Sequence, residues 1–326
     1  MIPGRVPAPR FIILGLLVGL LAASCYRPRV VHGPAPPDHL VGIDEGDWPR
    51  VEGLRLHVFN TGMNRVSPLL VGEPAPWRPA PAFVIEHPTR GLIVFDCGLG
   101  PEIARRAESA LHPITRILFK TRSLPARDLP SLMRAAGLDP ERATTVILSH
   151  MHFDHVGGCD AFRNARFVVG KGERENAGSR MNGFEPSHTE WIDPKAWHVV
   201  DFDRAAAYAT FDRTVDLFGD RSIVLVAGGG HTPGGLGAIV HLPGGPVLLA
   251  GDLVVHFDWL ESDDVQRIVA DPERAAEVRN RIRGLLRLAP EVLVFPGHDL
   301  PEVPAARTDI VVHEPDSFVP TAWPVD

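Results

Sequence analysis

The sequence predicts an α/β chain in which two β-sheets are sandwiched between helices. Short apolar strands crowd the chain from residue 54 onward, strands and helices then mix in both halves, and one long amphipathic helix stands near the C-terminus. At 326 residues there is enough chain for one large core or two small ones. No tandem repeat or low-complexity block interrupts it.

The N-terminus reads differently from the rest. Arg5 and Arg10 precede "FIILGLLVGLLAAS", 14 apolar or small residues, and then Cys25. A charged start and a run shorter than the roughly 20 residues of a spanning helix fit an export signal over residues 1–24. "LAASC" resembles a bacterial lipoprotein box. The expectation is therefore an exported lipoprotein, held to the membrane by lipid on Cys25 and facing the periplasm. A plain cleaved signal would leave it secreted or periplasmic, and an uncleaved one would itself be the anchor. Residues 25–52 carry clustered proline and no periodicity, as an extended tether does; residues 53–326 form the folded domain. Cys97 and Cys159 are too few for a disulfide framework; separate buried thiols are the expectation, with a single bridge between them as the alternative.

Within the domain, "LRLHVFN", "AFVIEHP" and "GLIVFDCG" are strands. A polar, helix-prone stretch follows, and "DLPSLMRAAG" is a helix that Gly137 can stop. "TTVILSH", rich in β-branched residues, is a buried strand ending at His150. "RFVVGKGE", "SIVLVAGGG", "LGAIVHLPG", "GPVLLAGD" and "EVLVFPGHD" supply more strands, several with polar tips. "DPERAAEVRNRIRGLLRLAP" is the best helix. Asp271 caps it, Pro272 suits its first turn, and Val278, Ile282, Leu285 and Ala289 make one apolar face.

The chemistry concentrates in "SHMHFDHVGG", residues 149–158. An extended segment sends residues i and i+2 to one side, so His150 and His152 can grip one ion. Asp154 and His155, just past them, can face a second. Further donors follow other apolar strands and are flanked by glycine, which permits close approach: His231 in "GGGHTPGG", Asp252 in "LLAGD" and His298 in "VFPGHD". Five histidines and two aspartates in four strand-end loops support two-metal chemistry, with a carboxylate bridging ions about 3.5–4 Å apart. A purely structural zinc would need four ligands and leave no open position. That weighs against a non-catalytic metal-binding module. Formal net charge is −7 with no Lys/Arg-rich run, which argues against nucleic acid as a partner and leaves a small-molecule substrate.

"HMHFDH", "GGHTPG", "GD" and "PGHD", in that order, resemble the metallo-β-lactamase-fold hydrolases over residues 54 to 300. The resemblance implies an αββα four-layer sandwich. It also implies one ion on His150, His152 and His231, a second on Asp154, His155 and His298, and Asp252 between them. Asp96, in "VFDCG", would orient a histidine ligand. Zinc suits such donors, with manganese, iron or cobalt as alternatives. A hydroxide between the ions would attack an ester, lactone, thioester or amide carbonyl, and Asp154 would carry a proton to the leaving group.

Within the superfamily the sequence resembles the N-acyl-homoserine lactonase branch most, through the phenylalanine Phe153 of "HMHFDH", the "DPERA" helix and the closing "PGHD". Only 28 residues follow His298, too few for the glutathione-binding domain of glyoxalase II enzymes. Those lactonases usually place a tyrosine three residues after the bridging aspartate. Here Val255 stands there, and the only tyrosines are Tyr26 and Tyr208. His256 is the candidate to replace the phenol. The substrate pocket is expected between "LVVHFDWL", with Val255, and the loop 179–191, with Met181, Phe184 and His188. An acylated lactone is the leading substrate; another ester, a thioester or a β-lactam is the alternative.

Overall fold

The computed structural model describes residues 29–44, 46–68, 75–176, 183–265 and 269–323. The expected export signal, Cys25 and Met181 lie outside the described residues. In chain order the first strands are β1 (Arg29–Val30), β2 (Arg55–Val66), β3 (Arg78–His87), β4 (Gly91–Phe95) and β5 (Phe119–Arg122). Next come β6 (Ala143–Ile147), β7 (Arg166–Gly170), β8 (Trp197–Val200), β9 (Ala206–Tyr208) and β10 (Phe211–Asp216). The last are β11 (Ile223–Ala227), β12 (Leu236–Leu242), β13 (Gly245–Gly251), β14 (Asp264–Val265), β15 (Leu293–Pro296) and β16 (Ile310–Val312). The helices used below are α1 (Pro101–Arg106), α2 (Phe153–Val156), α3 (Glu173–Asn176) and α4 (Pro272–Leu288).

Two mixed sheets form the centre. One has the order β16-β2-β3-β4-β6-β7-β8, the other β15-β13-β12-β11-β10-β9. Strand alternation decides how they pack. Along β2, Leu56 and Val58 join Phe83, Phe95 and Ile147 against Leu225, Ala238 and Leu249 of the second sheet. Phe59 faces the other way, with Val94, Val146 and Leu148. The second sheet's outer face carries Val226, Ile239 and Leu248 under Val278, Ile282 and Leu285 of α4. Each sheet therefore buries both faces, which gives the expected αββα sandwich. With roughly 1.5–3 kcal/mol for each large apolar side chain buried, these cores drive the architecture. Asp271 caps α4 as its sequence promised, accepting Arg274 N–H at 2.9 Å.

Of the expected tether, residues 25–52, the described residues 29–44 and 46–52 make contacts with the domain. β1 pairs with β14. Arg279, fully buried, donates to the Val31 carbonyl at 3.0 Å, and Asn280 to that of Pro34 at 2.7 Å. Trp48 is buried and donates to Glu291 at 2.9 Å. Clustered proline forecasts the absence of regular structure, but the free carbonyls of such a segment are ready acceptors for side chains of a neighbouring helix. β2 is also longer than its apolar stretch, because its far end pairs with β5 from Met63 to Val66.

Candidate metal centre

Parallel pairing gathers the ligands. β4 and β6 run side by side, and so do β13 and β15. Their C-terminal ends thus bring Asp96 beside the segment 149–155, and Asp252 beside His298. Leu236 N–H donates to the Ser149 carbonyl at 2.8 Å and joins the two sheets at this edge. The glycines before the ligands are required here. Gly251 has φ +49°, and a Cβ on it would lie 2.5 Å from Ser149 Cβ; one on Gly297 would lie 1.9 Å from Asp252 Oδ1. That is why the two motifs read "GD" and "PGH".

The seven expected ligands converge as two adjacent clusters. His150, His152, His231 and Asp252 make one, and Asp154, His155 and His298 the other. In the first, His150 Nε2 lies 2.8 Å from His152 Nδ1, and His231 Nε2 lies 3.1 Å from that same nitrogen. Asp252 Oδ2 is 3.2 Å from His231 Nε2. Its other oxygen, Oδ1, is 3.5 Å from both His155 Nε2 and His298 Nε2. Asp154 Oδ2 is 3.5 Å from His298 Nε2. One carboxylate thus turns an oxygen to each cluster.

The donor set fits divalent ions. His155 Nε2 and Asp252 Oδ1 are buried and have no hydrogen-bond partner, a costly arrangement unless a cation is to sit there. Burial pushes His150, His152 and His231 down, helped by their histidine neighbours, so these rings are neutral and offer lone pairs. Burial opposes ionisation of Asp252, but His298 and His155 beside it hold its carboxyl below the usual range. Burial also works against a charge on His155, yet Asp96 and Asp252 outweigh it and raise the ring to about 10.

A second layer fixes the ligands. Asp96 adopts φ 56°, an unusual left-handed conformation for a non-glycine residue. Its Oδ2 lies 2.8 Å from His155 Nδ1, and the same carboxylate accepts both Ser149 N–H and Ser149 O–H at 2.7 Å. Ser149 Oγ in turn lies 3.0 Å from His150 Nδ1. Pro79 carbonyl takes His298 Nδ1 at 2.8 Å. Two supports were not foreseen from the sequence. Asn64 on β2 donates to Asp154 Oδ2 at 2.6 Å. Glu173, fully buried at the start of α3, accepts Met151 N–H at 2.9 Å and Gly234 N–H at 3.1 Å, tying the His150–His152 segment to the His231 loop.

The expected substrate-side residues scatter more. Phe184 is buried with its ring 4.8 Å from that of His152. Phe153 is 1% exposed and packs with Ala80, Leu99, Ile103 and Leu111, so its side chain belongs to a small core rather than to an open surface. His188 Nε2 pairs with Glu102 Oε1 at 3.1 Å. The Val255 carbonyl accepts His298 N–H at 2.8 Å. His256 Nδ1 lies 3.4 Å from Asp258 Oδ2, and burial, with Arg78 nearby, pushes the ring down to about 4. Tyr208 is occupied elsewhere, its hydroxyl 3.0 Å from His241 Nε2.

An αββα sandwich whose strand ends carry two adjacent His/Asp clusters defines a metal-dependent hydrolase. The chain belongs to the Metallo-beta-lactamase superfamily, whose sequence profile matches residues 75–298. It is 30% identical to the N-acyl homoserine lactonase AttM of Azorhizobium caulinodans over 216 residues, 64% of this chain and 76% of that protein. It is 27% identical to the N-acyl homoserine lactonase AttM of Agrobacterium fabrum, over 76% of this chain and 89% of the relative. Among solved structures its fold resembles that of a B. thuringiensis AiiA mutant with N-decanoyl-L-homoserine bound at the active site. The TM-score is 0.61 at 22% identity, covering 76% of this chain and 93% of that one.

Proposed function

We propose that the protein is a lactonase that opens N-acyl homoserine lactones or similar acylated lactones at a two-ion centre, with zinc as the ion. The observation that carries this reading is Asp252, whose two oxygens face two separate histidine clusters. The similarity to lactonases at 27–30% identity supports the substrate class. His150, His152 and His231 would hold one ion, Asp154, His155 and His298 the other, with Asp252 between. Divalent ions bound there would supply a water of lowered pKa and polarisation of the ester carbonyl.

The chain's own residues do the rest. Asn64 fixes the Asp154 side chain, which carries a proton to the leaving alkoxide as the ring opens. Asp96 holds His155 in one orientation, a role that commonly sets both ligand direction and basicity. His256, whose ring burial and Arg78 push down to about 4, would donate a hydrogen bond to the substrate carbonyl or leaving oxygen in place of the missing phenol. Phe184, against His152, is a candidate contact for the acyl chain.

Val255 gives the second reading its footing: without a hydroxyl at that position, another ester, a thioester or a β-lactam is a competing substrate class. Turnover of a matched panel of acylated lactones, linear esters, thioesters and cephalosporins decides. Faster hydrolysis of a long-chain acyl lactone than of any other class is the expected result, and a preference for another class would refute the lactonase reading. The expected location is the periplasmic side of a membrane, through lipid on Cys25. Fractionation of the native protein and of Cys25→Ser tests it, and a cytoplasmic protein would contradict it.

A further inference from the structure

Cys97 and Cys159 are 62 positions apart in the chain, fully buried, and their sulfurs lie 3.3 Å apart. Each sits on a segment that the metal centre uses. Cys97 follows Asp96, the residue that orients His155 and Ser149. Cys159 follows α2, which carries Asp154 and His155. The two segments are packed backbone on backbone. Cys97 N–H donates to the His155 carbonyl at 2.7 Å, and Gly157 N–H to that of Gly98 at 2.9 Å. A Cβ on Gly158 would lie 2.7 Å from the Cys97 carbonyl oxygen, and one on Gly157 2.3 Å from Gly100 N. Neither segment can therefore be displaced far while the fold is intact, and the thiols are held facing each other.

As small apolar groups, two cysteines would fill this space no better than alanine and valine. What distinguishes them is the pairing. A disulfide holds its sulfurs at 2.03–2.05 Å, about 1.3 Å closer than these stand. We propose that Cys97 and Cys159 form a crosslink site, closed by a low-molecular-weight disulfide oxidant, that clamps the Asp154/His155 segment to the strand end bearing Asp96. In the step, both thiols lose hydrogen and one S–S bond forms. The two electrons and two protons pass to the oxidant, whose own S–S bond breaks to give two thiols. Because both sulfurs are out of reach of solvent, the crosslink is set while the chain folds or when the segment opens.

The test uses the full chain, unfolded in urea and refolded either with a reduced/oxidised glutathione couple or with excess reductant. Non-reducing digestion and mass spectrometry should find a linked Cys97–Cys159 peptide pair in the first sample, lighter than the sum of the separate peptides by two hydrogens and free of glutathione. Once loaded with zinc, the crosslinked protein should lose metal to a chelator at least threefold more slowly than the reduced protein, and should melt several degrees higher. The Cys97→Ala/Cys159→Ala double variant should show no difference between the two refolding conditions while keeping lactone turnover. Thiols that both remain alkylatable after oxidative refolding, or pairing with Cys25 instead, would overturn the crosslink. A linked protein with unchanged chelator kinetics would overturn its coupling to the metal centre.

Discussion

Replacing Glu173 with glutamine changes one oxygen for an amide nitrogen at the buried point where two ligand loops meet. The carboxylate accepts Met151 N–H and Gly234 N–H at 2.9 and 3.1 Å. Glutamine has a single acceptor oxygen, so one of these two N–H groups must face an NH2. A hydrogen bond to a charged acceptor contributes roughly 1.5–3 kcal/mol, and a stranded buried donor costs a similar amount, so the metal-free protein should lose about 2 kcal/mol. For a domain of this size that corresponds to roughly 3–4 °C in Tm. The loss is local, since Met151 lies between His150 and His152 and Gly234 is three residues after His231. Zinc titration at pH 8 should therefore show weakened binding of one equivalent, with the other, on Asp154, His155 and His298, nearly unchanged. Amide exchange at Met151 and Gly234, on different loops, should accelerate together. A variant with wild-type melting and two unchanged binding steps would refute the tie; equal weakening of both steps would show a global effect instead.

Asp154→Asn should abolish hydrolysis while circular dichroism and solubility stay those of the parent, because Asn64 can still hydrogen-bond the remaining carbonyl oxygen; retained turnover would remove Asp154 as proton carrier. His256→Ala should lower kcat about tenfold or more on the best substrate, the usual size of a lost proton-transfer or hydrogen-bond contribution. Unchanged kinetics would take His256 out of the site. The same ring also affects acid stability. Its folded pKa of about 4 lies below its ordinary 6.5, so the unfolded chain binds the proton more readily and stability falls as pH drops through that window. Urea unfolding of His256→Ala between pH 6.5 and pH 4 should show a shallower loss than the parent; an equal or steeper loss would contradict the burial.

Much of this was legible in the residues because ligands at strand ends leave a double mark, an apolar run and then a polar residue beside glycine. His231, Asp252 and His298 all carry it, and the close approaches at Gly251 and Gly297 explain its glycines. α4 was equally plain, since its cap, first-turn proline and apolar face agree. Glu173 was not, because it closes "RFVVGKGE", which reads as a strand with a polar end, and only the fold turns its carboxylate inward. Asn64 gave no signal either. It lies on a part of β2 whose apolar alternation had faded and whose pairing with β5 is not written locally. The Cys97–Cys159 contact is likewise a product of topology, made when β4 and α2 are brought together by the parallel β4–β6 pair. The contacts of Val31 and Pro34 were not legible either, because proline reports on regular structure, whereas these contacts depend on Arg279 and Asn280 far along the chain.

Metal content is the most direct measure of the central claim that Asp252 joins two ion sites into one hydrolytic centre. Protein purified with zinc present and then dialysed should contain close to two equivalents per chain by elemental analysis, and Asp252→Ala, still folded, should fall to one or fewer and lose turnover. One equivalent or less in the parent protein, even after reconstitution with excess zinc or manganese, would contradict the two-ion account.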